Sequence, residues 1–184
     1  MAWVVTIACI AVIIVCIIIF NKLVKASNLN SEAFSNVDTA LKKRYDLIPN
    51  LESIVKGYTS HDKNTLEDIA KIRTNLSNKM TVDDRQREED KFSTVIKDVF
   101  VSVENYPELK ASQNFLSFQQ ALVKIEEDIE MARRYYNGTT RNYNILIEQF
   151  PTNIFAKLFG FEKRSYFEVD LLTRENVNVD FGGE

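Results

Sequence analysis

Residues 133–144 read "RRYYNGTTRNYN", and whether this stretch turns or continues decides the architecture around it. Asn137-Gly138 is a strong turn signal, because Gly accepts the left-handed conformation that ends many helices. A turn there would leave the apolar positions after Gly138 no reason to keep phase with those before it. They do keep phase: Ile125, Ile129, Ala132 and Tyr136 are followed by Tyr143, Ile147 and Phe150 at multiples of three and four residues. A Gly inside a helix costs about 1 kcal/mol, which packing offsets. One continuous helix is therefore expected, with Tyr136 and Tyr143 on its buried stripe. Arg133, Asn137, Arg141 and Asn144 form a polar row beside that stripe. Such a row is either an anion or aromatic-ligand site or a seam that fixes helix register, and the seam is the commoner use.

Working outward, Pro107 and Glu108 suit the start of this helix and Pro151 its end, giving about 43 residues and roughly 60 Å. Upstream, Thr81 with Asp83 and Asp84 opens another helix, whose stripe is Phe92, Val95, Ile96, Val99, Val103 and Tyr106. Before it, Asn64 and Glu67 resemble a capping pair, followed by Leu66, Ile69, Ile72, Leu76 and Met80. The first body helix carries Phe34, Val37, Leu41, Arg44, Ile48, Leu51, Val55 and Tyr58, until Gly57 and "TSHDKN" at 59–64 break the pattern. Pro49 lies inside it without shifting its phase, so a kink is expected where the carbonyl of Tyr45 loses its donor. Curvature is favoured over a binding groove as the purpose of that kink.

No strand-like alternation precedes residue 160. The fold class is all-α: a single N-terminal transmembrane helix followed by an antiparallel up-and-down four-helix bundle with long helices. Three parts follow: an anchor at 1–24, a helical bundle at 25–168 and an acidic, flexible tail at 169–184.

The anchor rests on "MAWVVTIACIAVIIVCIIIF", which contains no charge. From Trp3 to Phe20 it spans roughly 27 Å as a helix, close to the thickness of a bilayer's hydrocarbon. A cleaved signal peptide is the rival, with "VKA" at 24–26 a passable cleavage site; the missing positive n-region, the long apolar run, Lys22 and Lys25 favour the anchor. Lys22, Lys25, Lys42, Lys43 and Arg44 all follow the span, which places the amino terminus outside and the body in the cytoplasm of an inner-membrane protein. Cys9 and Cys16 share one face of the span and suit apolar packing.

The net charge of −3 comes from 23 basic and 26 acidic residues, all after the span. That balance does not suit a nucleic-acid binder. His61 is the single histidine, so a two-histidine di-iron bundle cannot be built, and the glycines form no phosphate loop. No catalytic residue, cofactor or metal is expected. Arg44 lies directly on a core stripe, while Glu130, Arg133 and Glu104 border one, and a charge there must be paired or reach solvent. Arg44 is expected to pair with Glu130 or Glu104, with Asn137 and Asn144 extending the network.

The run "FPTNIFAKLFGFEKRSYF", 150–167, holds Phe150, Ile154, Phe155, Leu158, Phe159 and Phe161 beside Lys157, Lys163 and Arg164. Three uses are open: a plug over the bundle end, which is favoured, an interfacial membrane element, or a partner site.

Taken in order, "FNKLV", "FSNVDTALKKRYDLIPNLESIVKGYTSH", "ENYPELKASQNF", "ARRYYNGTTRNYNILIEQFP" and "GFEKRSYFE" resemble the LemA family of bacterial membrane-anchored helical proteins over residues 1 to 168. The resemblance implies one amino-terminal membrane helix, a four-helix-bundle body and no established catalytic activity. Gly138, Phe20, Asp62 and Ile72 depart from the family's common residues. The functional expectation is a non-catalytic membrane scaffold or adaptor that contacts other membrane or cytoplasmic proteins, with residues 3–24 in the bilayer and self-association open. The alternative is membrane organisation or remodelling through the anchor and residues 150–167, with a ligand-binding bundle third.

Overall fold

Positions separated alternately by four and three residues fall on one stripe of a helix. In the computed structural model, which describes residues 1–57 and 81–167, that spacing organises each long helix. Among the described residues all regular structure is helical. Helix α1 (Ala2–Tyr45) and helix α2 (Ile48–Lys56) share the stripe Val37, Leu41, Arg44, Ile48, Leu51 and Val55, all buried.

Helix α1 passes from the apolar run into the body without a break, 44 residues and about 66 Å. Most side chains from Met1 to Ile18 are exposed, as an apolar run outside any core must be. Where a kink is expected the helix is interrupted for two residues, Asp46 and Leu47, held by Asp46 N–H to the Lys42 carbonyl at 2.9 Å and Leu47 N–H to the Arg44 carbonyl at 3.1 Å. Pro49 falls in the first turn of α2, where its missing N–H costs nothing. The phase survives the joint, since Leu41, Ile48 and Val55 are all buried.

Helix α3 (Val82–Val103) starts where Thr81 and Asp84 exchange side-chain and backbone bonds in a capping box. Its stripe is Arg85, Glu89, Phe92, Ile96, Val99 and Val103. The single helix expected from Pro107 to Phe150 is instead two, α4 (Pro107–Lys110) and α5 (Gln113–Glu148). Ser112 explains the division: its backbone is extended and its hydroxyl accepts the Phe115 N–H at 3.2 Å, a better start than continuing the turn begun at Pro107. Gly138 lies inside α5, as register required.

Helices α1 and α5 run antiparallel. Asn30 meets Thr139 and Thr140, Phe34 meets Tyr136 and Arg44 meets Glu126, so positions rise on one helix as they fall on the other. Helix α3 runs with α1, since Asp38 pairs with Arg85 and the Tyr45 ring lies on Phe92. The helix expected at 64–80, with His61 before it, and the tail beyond 168 lie outside the described residues.

After α5 the Thr152 hydroxyl shares its one proton between the carbonyls of Leu146 and Gln149, and α6 (Thr152–Leu158) begins at that residue. Gly160, at φ 71°, closes α6 with the Phe161 N–H bonded to the Ala156 carbonyl at 2.9 Å. That reversal sends residues 161–167 back along the bundle as an extended strap.

Candidate functional site

The site begins with two rows of residues at seven-residue steps. On α1 and α2 the row is Leu23, Asn30, Val37, Arg44 and Leu51; on α5 it is Phe115, Leu122, Ile129, Tyr136 and Tyr143, all buried. Two members of the first row are polar, and each makes a different join.

Asn30 is fully buried between α1 and α5. Its amide donates to the Thr140 hydroxyl at 2.7 Å and the Thr139 hydroxyl at 3.1 Å, and its carbonyl oxygen accepts from Arg164 at 2.6 Å. Three of its four hydrogen-bonding positions are thus used inside the protein. Arg164 also donates to the hydroxyls of Ser31 at 3.0 Å and Ser27 at 2.9 Å, and its guanidinium lies 5.1 Å from the centre of the Tyr143 ring.

The strap is held mainly through its backbone. Asn144 accepts the Arg164 N–H and donates to the Arg164 carbonyl, both at 3.0 Å. Asn137 does the same for Phe167, both at 2.9 Å. Between them the Tyr136 hydroxyl donates to the Ser165 carbonyl at 2.9 Å. Seven helical residues rise about 10.5 Å, and three extended residues cover about 10 Å. The heptad spacing of the two asparagines therefore matches a stretched chain gripped at two residues three positions apart. The Phe167 ring closes the far end, stacked on Phe34 at 6.2 Å and edge-on to Tyr136 at 5.2 Å, with Arg133 5.7 Å from its centre.

Arg44 makes the other join, and the pairing expected for it is corrected. Its guanidinium donates to Glu126 at 2.9 Å, not to Glu130 or Glu104. Glu130 points outward and pairs with Arg134 at 2.8 Å, while Glu104 lies near Lys110 at 3.7 Å, both exposed. Phase explains this: Glu126 stands next to the buried stripe at the height of Arg44, and Glu130 is one turn along. Arg44 is only 2% exposed and Glu126 47%, so the pair has one end in the core and one in water. The Phe92 ring, 4.2 Å from the guanidinium carbon, covers the buried end. Arg133 is drawn into a separate pair with buried Glu89 of α3, and Arg85 into one with Asp38 at 2.8 Å.

The ionisation of the site follows from its burial. Desolvation is the main cause that raises the phenols of Tyr136 and Tyr143, with Arg164 pulling both the other way. Burial likewise raises Tyr45, against the opposing pull of Arg44. A cleft of about 480 Å³ opens beside the strap, lined by Asn30, Phe34, Thr81, Tyr136, Arg164 and Ser165 among others. Of its polar groups Asn30, Ser31 and Tyr136 are bonded to the strap, and the space beside Arg44 is filled by Tyr45, Phe92 and Glu126. The arrangement locks two helices and a strap together.

The family model described as the LemA family matches residues 33–181. The chain belongs to the LemA family. Protein LemA of Metamycoplasma hominis is 28% identical over 161 residues, covering 86% of this chain and 73% of that relative. Magnetosome protein MamQ 2 of Paramagnetospirillum magneticum is 30% identical over 77 residues, 42% of this chain but only 28% of that relative's length. Magnetosome protein MamQ of Magnetospirillum gryphiswaldense is 26% identical over 76 residues, again 28% of its length. Arg44, Asn137, Asn144, Arg164 and Phe167 fall within the LemA match, whereas Asn30 and the apolar run precede it.

Asn30, Glu89, Glu126 and Arg164 were not legible as site residues from stripe reading that began at Phe34. Asn30 had a signal, since Leu23 and Val37 flank it at seven residues on either side. Arg164 had none, because a residue in an extended strap belongs to no helical period.

Proposed function

We propose that this LemA-family chain is a single-pass, membrane-anchored scaffold or adaptor that presents a rigid helical rod to other proteins and performs no catalysis. The observation that carries the reading is the unbroken α1, whose exposed apolar half continues into a helix of the bundle core. An apolar run of this length is stable in a bilayer, and the likeness to magnetosome proteins also supports membrane association. In this reading the amino terminus lies outside the inner membrane and the body in the cytoplasm. In the same reading the body is an up-and-down four-helix bundle.

Leu116, Val123 and Met131 are exposed apolar residues along the outer side of α5, and Val101 is exposed on α3. These are the positions at which partner contact is tested. Photo-crosslinkers placed at each in native membranes, followed by mass spectrometry, are expected to capture discrete proteins from the rod positions. Capture of lipid alone, or of nothing at all four, would remove the scaffold reading.

A further inference from the structure

We infer that α6 and its flanks are a foot that lies in the headgroup region of the same bilayer the anchor crosses. This rests on the membrane-anchored reading and adds to it a second lipid contact, its place and its membrane.

The first observation is position. The Phe159 ring packs on Phe20 at 4.8 Å and the Phe161 ring at 6.4 Å, and Ala156 is buried with Ile19 and Leu23. Phe20 ends the apolar run, and Lys22 is the first charge after it. Helix α6 is therefore fixed at the height where α1 leaves the hydrocarbon.

The second observation is the division of its faces. Thr152 and Ala156 face the bundle and are buried, with Phe155 half-buried beside them. On the opposite side Ile154 is 56% exposed and Leu158 73%, and Phe150 and Phe159 at the two ends are exposed as well. Three large apolar groups, Phe150, Ile154 and Leu158, stand free on one short stretch with Lys157 among them, while Phe159 leans on Phe20. Apolar groups immersed below headgroup level, with a lysine reaching outward, form the pattern of an interfacial segment.

Both the plug and the membrane reading thus hold, for opposite faces of one helix. Because α6 is seated on the anchor's own exit, its apolar face continues the lipid contact of α1. It reaches the anchor's membrane and not a second one, so it sets the angle of the rod and does not bridge bilayers.

The test uses the full chain in vesicles of phosphatidylcholine and phosphatidylglycerol, with Cys9 and Cys16 replaced by Ala. A single cysteine carrying nitrobenzoxadiazole is placed at Ile10, Phe150, Ile154, Leu158 or Val123. Doxyl-labelled lipid and aqueous iodide are the quenchers. Positions 154 and 158 are expected to be quenched by doxyl lipid several-fold more than position 123, and to resist iodide. A second variant, Ile154→Asp with Leu158→Asp, is expected to keep the helical circular dichroism and to lose lipid quenching of a label at position 150. Iodide quenching at 154 and 158 equal to that at 123 overturns the foot, and protection from both quenchers overturns it in favour of a second protein chain. If position 10 also escapes doxyl lipid, the anchor reading itself fails; if position 10 is quenched and 154 is not, only the foot fails.

Discussion

Asn137 grips both polar sides of one residue, accepting the N–H of Phe167 and donating to its carbonyl, each at 2.9 Å. A backbone group placed beside a helix has no sheet or helix partner of its own, and an asparagine amide supplies one donor and one acceptor in a single plane. Replacing Asn137 by Leu removes both bonds and leaves a partly buried peptide unsatisfied. The expected cost is about 1–3 kcal/mol, with a comparable loss for Asn144→Leu. Urea unfolding of the full chain in detergent checks the cost. Hydrogen exchange should show the Phe167 amide opening faster in the first variant, and an unchanged exchange rate there would refute the clamp.

Arg44 and Glu126 should couple, and Arg44 should not couple with Glu130 or Glu104. Glu126→Gln is expected to cost under about 1 kcal/mol, because that carboxylate is half in water. Arg44→Ala should cost more, roughly 3 kcal/mol, since it also removes packing from Phe92 and leaves a void on the core stripe. Arg44→Met, which fills the same space, should recover most of the loss. Double-mutant cycles on all three pairs measure this; coupling with Glu130 as large as with Glu126 would contradict the geometry.

Gly138→Ala should stabilise the protein by about 0.5–1 kcal/mol. The glycine lies inside α5 with no positive φ, and a methyl group built there meets nothing within 4 Å. A raised melting temperature checks the prediction. A lowered one would mean that the backbone at Asn137-Gly138 turns after all.

Alkaline pH should weaken the fold through its buried phenols. Tyr45, Tyr136 and Tyr143 are all raised above the ordinary tyrosine value of about 10, chiefly by burial. Above that pH the unfolded chain releases protons that the folded chain still holds, so stability falls as pH rises, while below it the contribution is complete. Unfolding midpoints at about pH 8 and pH 11 should differ, and Tyr143→Phe should reduce the difference. Equal slopes for parent and variant would exclude Tyr143 as a cause.

The helices were legible because each repeats one period over several turns. The continuity of α5 through Gly138 and the start of α3 at Thr81 both follow from residues within one or two turns of the feature. The division at Ser112 was missed because Pro107 is an equally good start, and nothing in the apolar spacing chooses between two starts five residues apart. Phase placed Arg44 in the core, but its partner depended on the relative height of two helices, a quantity that no single helix encodes. The spacing of the asparagines suits a seam between helices; their occupant, the strap at 164–167, lies some twenty to thirty residues downstream and has no period to detect.

The absence of a joint between the apolar half of α1 and its core half has a mechanical consequence. Residues 20 to 45 form a stiff lever of about 37 Å. A change of about 10° in the angle of the anchor swings the Arg44 end by roughly 6 Å, unless the foot at α6 resists it. In the membrane-anchored reading, a change in membrane thickness or curvature is expected to move the rod's distant end, as a tiller converts a small turn at the pivot into travel at the handle.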